Sequence, residues 1–177
     1  MKALILIADG FDDLQFFCPY YRLLEAGVAV TIASPRGNKA IGLRGFPVEA
    51  DTPIAAVDPA EYDLLVIPGG QSPERLRLRE DAIGIARAFM DEERPVAAIG
   101  HGPQLLISSG SLDNKQATSA PDIRDDLRAG GAIYHDRAIV RDGNLLTGRS
   151  CDDLPQFCLQ MVTFLADVDI WNGAPAR

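Results

Sequence analysis

Cysteine is scarce in this chain: its 177 residues contain three, Cys18, Cys151 and Cys158. Three scattered thiols build neither a disulfide framework nor a metal-ligand cluster. No metal or other cofactor is expected, because no pattern in the chain calls for one. Long apolar runs are also missing. None approaches the roughly 20 residues needed to span a bilayer, so no membrane partner is expected. Basic residues are outnumbered, 17 Lys and Arg against 25 Asp and Glu, for a net charge of −8. That sign argues against nucleic acid as a partner. Repeats, low-complexity stretches and internal linkers are absent as well, which points to a single domain. Residues 1–8 superficially look like a signal peptide, but the apolar run is too short, lacks a cleavage site and meets Asp9-Gly10 at once. They read instead as the first buried strand of a cytoplasmic protein.

Apolar residues make up 47% of the chain. A chain of this length buries roughly 70% of its unfolded surface. Residues 3–8, 28–33, Leu64–Ile67 and Val96–Ile99 are short apolar runs suited to strands covered on both faces. Helical patterns alternate with them. One is expected over 12–26, opened by acidic residues, closed by Gly27 and bent at Pro19. Others are expected over 80–92, 101–109, 121–129 and 152–165. Residues 35–60, rich in Gly and Pro, read as a hairpin-like excursion plus a connection. Asp142-Gly143 predicts a two-residue hairpin turn between runs at 138–141 and 144–147. This alternation predicts one α/β domain, a doubly wound sandwich with a mostly parallel central sheet, over residues 1–166. Residues 167–177 are expected to form a tail.

The most telling residue is Gly100. The segment Pro95-Val-Ala-Ala-Ile-Gly-His-Gly-Pro-Gln-Leu-Leu-Ile107 reads as a strand, a sharp turn and a helix. Such a turn holds its central residue at positive φ on the carboxyl edge of the sheet. Enzymes place Cys or Ser there, where a helix N-terminus lowers a thiol pKa and backbone N–H groups hold an oxyanion. Glycine adopts positive φ readily and brings no side-chain chemistry.

Four segments carry a family resemblance: Ala8-Asp-Gly-Phe-Asp-Asp-Leu14, Pro68-Gly-Gly-Gln-Ser-Pro-Glu-Arg75, Ile99-Gly-His-Gly-Pro-Gln-Leu-Leu-Ile107 and Asp152-Asp-Leu-Pro155. Together they resemble the ThiJ/PfpI superfamily, most closely its PfpI-type intracellular cysteine proteases. The resemblance implies a flavodoxin-like, class I glutamine amidotransferase-like fold. In that family the elbow reads Ala-Ile-Cys-His-Gly-Pro, with Cys as nucleophile, and its position is Gly100 here. A family Glu that bonds the nucleophile corresponds to Gln15, and a Tyr often found near the pocket corresponds to Ala120. His101 and Glu74 are retained, and in PfpI-type proteins they meet across a subunit boundary. Gly70 is also retained, and its N–H is expected to help form the oxyanion hole. The resemblance therefore implies a homodimer, or a hexamer.

The remaining thiols offer two further candidates. Cys18 lies one helical turn after Gln15, and the shared face is expected to point at the pocket. Cys151 follows Arg149-Ser150 in a loop that approaches the nucleophile in family members. The plain reading of both is small buried packing. Cys158, among Phe157, Leu159 and Met161, reads as core. Arg149 is a candidate anion-binding group beside the pocket. The loss of Cys and Glu together is chemically coherent, since a carboxyl without a thiolate partner is a buried charge best made neutral. Three functional readings result. The first is a stress-related or small-molecule-binding protein with weak or no cysteine-hydrolase activity, taking a small molecule or anion in the elbow pocket. The second is a peptidase, amidase, glyoxalase- or deglycase-like enzyme working through Cys18, Cys151 or a water held by His101. The third is an engineered Cys-to-Gly variant of such an enzyme.

Overall fold

The central strands carry apolar side chains on both faces, and this requires a layer of helices on each side of the sheet. The structure, a computed structural model, describes residues 1–171. In chain order, β1 is Lys2–Leu6, α1 Asp13–Glu25, β2 Ala29–Ser34, β3 Ala40–Ile41, β4 Pro47–Val48 and β5 Thr52–Pro53. Next come β6 Leu64–Ile67, α2 Ser72–Leu76, α3 Glu80–Asp91, β7 Val96–Ile99 and α4 Pro103–Ser108. The chain continues through β8 Gln116–Ala117, α5 Arg124–Ala129, β9 Ile133–Tyr134, β10 Ile139–Asp142, β11 Leu145–Gly148 and α6 Leu154–Trp171.

Seven strands form the main sheet in the order β10-β11-β7-β6-β1-β2-β5. All neighbours are parallel except β10 against β11. Alternate residues go to opposite layers. Ala3, Ile5, Leu64, Val66, Ala97 and Ile99 pack with Phe16 of α1 and Phe157, Met161 and Phe164 of α6. Leu4, Leu6, Leu65, Ile67, Val96 and Ala98 pack with Phe89 of α3, Leu105 of α4 and Leu127 of α5. Each large side chain buried this way contributes ~1.5–3 kcal/mol.

The chain runs from β1 to β2 on one side, then returns to β6 and β7 on the other. The strand order thus reverses at β1, and the crevice beyond the carboxyl ends of β1, β6 and β7 is the natural place for a site.

Several boundaries differ from the sequence expectation. β1 stops at Leu6 because the Ala8 N–H goes instead to the Ser72 hydroxyl, at 2.8 Å. α1 runs through buried Pro19, as read, and its ends fall one residue inside the expected 12–26. α4 opens at Pro103, since His101 and Gly102 make the turn and the Gly102 N–H reaches back to the Ile99 carbonyl at 2.9 Å. Asp142 pairs with Leu145, so the hairpin turn is Gly143-Asn144, one residue later than read. The excursion holds the antiparallel β3–β4 hairpin and β5, which joins the sheet edge. α6 runs to Trp171, through the start of the expected tail, and residues 172–177 lie outside the described residues. Among the described residues no helix is long and apolar enough to cross a membrane.

Candidate functional site

Gly100 sits at φ +62°, between the last residue of β7 and the turn into α4. Its N–H bonds to the Gly148 carbonyl and its carbonyl accepts from the Ala120 N–H, at 3.0 and 2.9 Å. The elbow is thereby pinned on both sides by neighbouring backbone. A Cβ placed on Gly100 would lie 2.5 Å from Gln15 Oε1 and 2.9 Å from its Nε2. The carboxamide of Gln15 therefore fills the space that a nucleophile's side chain would need.

Gln15 is 6% exposed and is fixed from several directions. Its Oε1 accepts the Gly69 N–H at 3.0 Å, and its Nε2 donates to Cys151 Sγ at 3.3 Å. Its own N–H bonds to Asp12, the N-cap of α1, at 3.0 Å. Gly69 has no room for a side chain, because a Cβ there would strike Gln15 Oε1 and the His101 backbone nitrogen. The motif Asp12-x-x-Gln15 is a capping-box pattern, in which a Gln side chain reaches back to the cap N–H. Here that cap N–H goes to the Gly69 carbonyl instead, and Gln15 crosses to Gly69.

Cys151 lies at the start of a short 3-10 turn leading into α6, half-buried beside this amide. Its Sγ donates toward both Asp12 carboxylate oxygens at 3.5 Å. Burial raises its pKa, and the Asp12 charge raises it further, against the opposing pull of the Gln15 amide. The site holds this sulfur as a thiol.

His101 follows the elbow, and its Nε2 contacts Asp122 Oδ2 at 2.9 Å. Asp122 belongs to a one-turn 3-10 helix beside Ala120. Among the described residues, the Gly70 and His101 N–H groups have no hydrogen-bond acceptor. Glu74 is exposed on α2 and makes no ion pair among the described residues.

Two placements correct the sequence reading. Cys18 is exposed rather than buried beside Gln15. The buried face of α1 runs through Gln15, Phe16, Pro19 and Leu23. At ~100° per residue, Cys18 falls about 60° outside that arc. Arg149 is not available to an external anion, because Asp153 and Asp136 bond its guanidinium at 3.2 and 2.8 Å. These carboxylates raise its pKa above that of an ordinary arginine. Cys158 is buried, and desolvation pushes its thiol up to about 11. The structure thus gathers Gln15, Gly100 and Cys151, with His101 and Ala120 bordering them.

Sequence reasoning missed three participants. Asp12, the thiol's acceptor, was readable as a cap but not as a partner of residue 151. Gly69 is visible only as half of a Gly-Gly pair. Asp122 carries no local signal at all.

Residues 1–164 match the DJ-1/PfpI family. The chain is 43% identical over 165 residues to a deglycase of Thermococcus kodakarensis, covering 93% of this chain and 99% of that protein. It is 44% identical, with the same coverage, to the deglycase PfpI of Pyrococcus furiosus. Among solved structures, a two-domain Anabaena variabilis protein with DJ-1/ThiJ/PfpI-like and ferritin-like domains superposes with a TM-score of 0.92 at 36% identity. That match spans 94% of this chain and 50% of the larger protein. With the flavodoxin-like sheet, the elbow and these similarities in hand, the chain belongs to the DJ-1/PfpI family.

Proposed function

We propose that this chain is a small-molecule-binding, stress-related member of its family in which the elbow has exchanged thiol chemistry for an uncharged amide plug. The observation that carries this reading is the Gln15 carboxamide, which stands where a Gly100 side chain would go. The relatives named deglycases suggest the ligand class: a carbonyl adduct of an amino or thiol group. What supports binding is backbone. The unbonded N–H groups of Gly70 and His101 suit a carbonyl or carboxylate oxygen. Cys151, held as a thiol by burial and by Asp12, is a poor nucleophile. The fit between Gly100 and Gln15 also favours natural divergence over a single engineered exchange.

The test is deglycation of a methylglyoxal-treated thiol and amine by the purified protein, with and without prior iodoacetamide. The expected result is no thiol-dependent turnover, together with a gain of iodoacetamide-sensitive turnover in a Gly100→Cys/Gln15→Glu variant. Turnover by the unmodified chain that disappears in Cys151→Ala would overturn the reading.

A second reading is favoured by the His101–Asp122 contact of 2.9 Å. An imidazole fixed by a carboxylate at Nε2 can present Nδ1 to a water and act as a general base. Its signature is turnover that resists iodoacetamide and is lost in His101→Ala. The PfpI-type resemblance further supports a homodimer, or a hexamer, in which Glu74 meets a neighbour's His101. A monomer mass by light scattering at micromolar concentration removes Glu74 from the site.

A further inference from the structure

A second concavity opens at the same edge of the sheet. Gly10 packs on Gly70 at the elbow, whereas Asp9, one residue earlier, lines this other cavity of about 410 Å³. Its walls come from the exit of β1, from the turn after β2 and from the α2–α3 connection. Four cationic side chains line it: Arg36, Lys39, Arg75 and Arg79. Among the described residues, Asp9 is the one carboxylate in the lining. Such convergence is unexpected by chance in a chain of net charge −8, whose mean field repels anions.

Lys39 and Arg75 are weakly paired, and Arg79 is held by Asp81. Arg36 makes no ion pair among the described residues. Arg75 approaches Asp9 only at 3.9 Å, and the other Asp9 oxygen is taken by the Ile41 N–H at 2.9 Å. Lys39 meets Glu49 at 3.6 Å, both well exposed, a pairing that contributes little. Asp81 binds Arg79 through Nε and Nη2, which orients the guanidinium and leaves Nη1 open. The cavity lies beyond the carboxyl ends of parallel strands β1 and β2, where open α/β sheets hold ligands.

We propose that this cavity is a binding site for a phosphate group carried by a small molecule or present as the free ion. A carboxylate needs one bidentate arginine. A phosphate dianion offers three oxygens, and three guanidiniums on two segments, Arg36 after β2 and Arg75 and Arg79 around the α2–α3 connection, suit that geometry. The assignment is independent of whatever chemistry survives at Gly100.

The experiment is isothermal titration of the full chain with inorganic phosphate, glycerol 3-phosphate, acetate and chloride, at matched ionic strength. Saturable binding is expected for a phosphate species and not for acetate or chloride. Arg36→Gln/Arg75→Gln should weaken it about tenfold or more. Lys115→Gln, in the cavity at the opposite edge, should leave it unchanged. Tighter binding of glycerol 3-phosphate identifies a phosphorylated metabolite as the ligand; equal or tighter binding of inorganic phosphate identifies the free ion. If the double variant loses its fold, Arg36→Gln alone carries the test, because Arg36 is exposed. Equal binding of acetate and phosphate, no saturable binding, or an affinity untouched by the arginine variants would overturn the proposal.

Discussion

The elbow at Gly100 and the basic cavity beside Asp9 are two concavities at one edge of the sheet, the first after β7 and the second at the exit of β1. At the elbow a buried neutral amide fills the side-chain position of Gly100, and burial raises the pKa of the sulfur beside it. The cavity is open and lined by four cations, of which Arg79 is held closely by Asp81 and Arg75 only at 3.9 Å from Asp9. The backbone creates both hollows, since parallel strands end together and their connections diverge. Side chains alone decide what each can hold. On the proposed reading, two residues, Gly100 and Gln15, set the chemistry of the elbow within an architecture the family shares.

The comparison is broken most severely by placing a side chain at the elbow. Gly100→Ala should cost about 2–4 kcal/mol by urea denaturation. About 1 kcal/mol comes from positive φ, and the rest from displacing an amide bonded to Gly69 and Cys151. Combining it with Gln15→Ala should return the added cost towards 1 kcal/mol, and additive effects in that cycle would mean that the two residues do not share a space. Gln15→Ala by itself is expected to cost about 1–3 kcal/mol, because the buried Gly69 N–H loses its acceptor. A neutral result would show that water replaces the amide without penalty.

The thiols sharpen the contrast kinetically. Iodoacetamide followed by peptide mapping should modify exposed Cys18 first, Cys151 later and Cys158 last. The sign follows from the shifts. Both raised thiols stay protonated as the pH climbs through the ordinary range near 9, so Cys151 labelling should accelerate above that value, and Cys158 only towards about 11. Fast labelling of Cys151 at pH 7 would reveal a thiolate and reopen the elbow as a reactive site. The smallest effect is expected at the rim. Asp122→Asn breaks a part-exposed contact with His101 and should change stability by less than about 1 kcal/mol.

Much of the framework was legible in one dimension. β6 and β7 fall on the expected residues, because four apolar residues bounded by turn signals have few alternatives. α1 was read within a residue of its ends from Asp12 and Gly27. Cys18 misled for a geometric reason: three residues along a helix share a general face, but not an environment.

Local sequence determined the alternation of strand and helix, the positive-φ elbow at Gly100 and the absence of a nucleophile there, because backbone preference and residue identity act within a few bonds. Only the tertiary structure decided that Gln15, 85 residues earlier in the chain, would occupy the vacant position, that Cys151 would face Asp12, that Asp122 would take His101, and that four cations from two segments would share one cavity. Those are contacts between distant segments. Their existence depends on strand order and crossover geometry, which bring together residues that no local pattern connects.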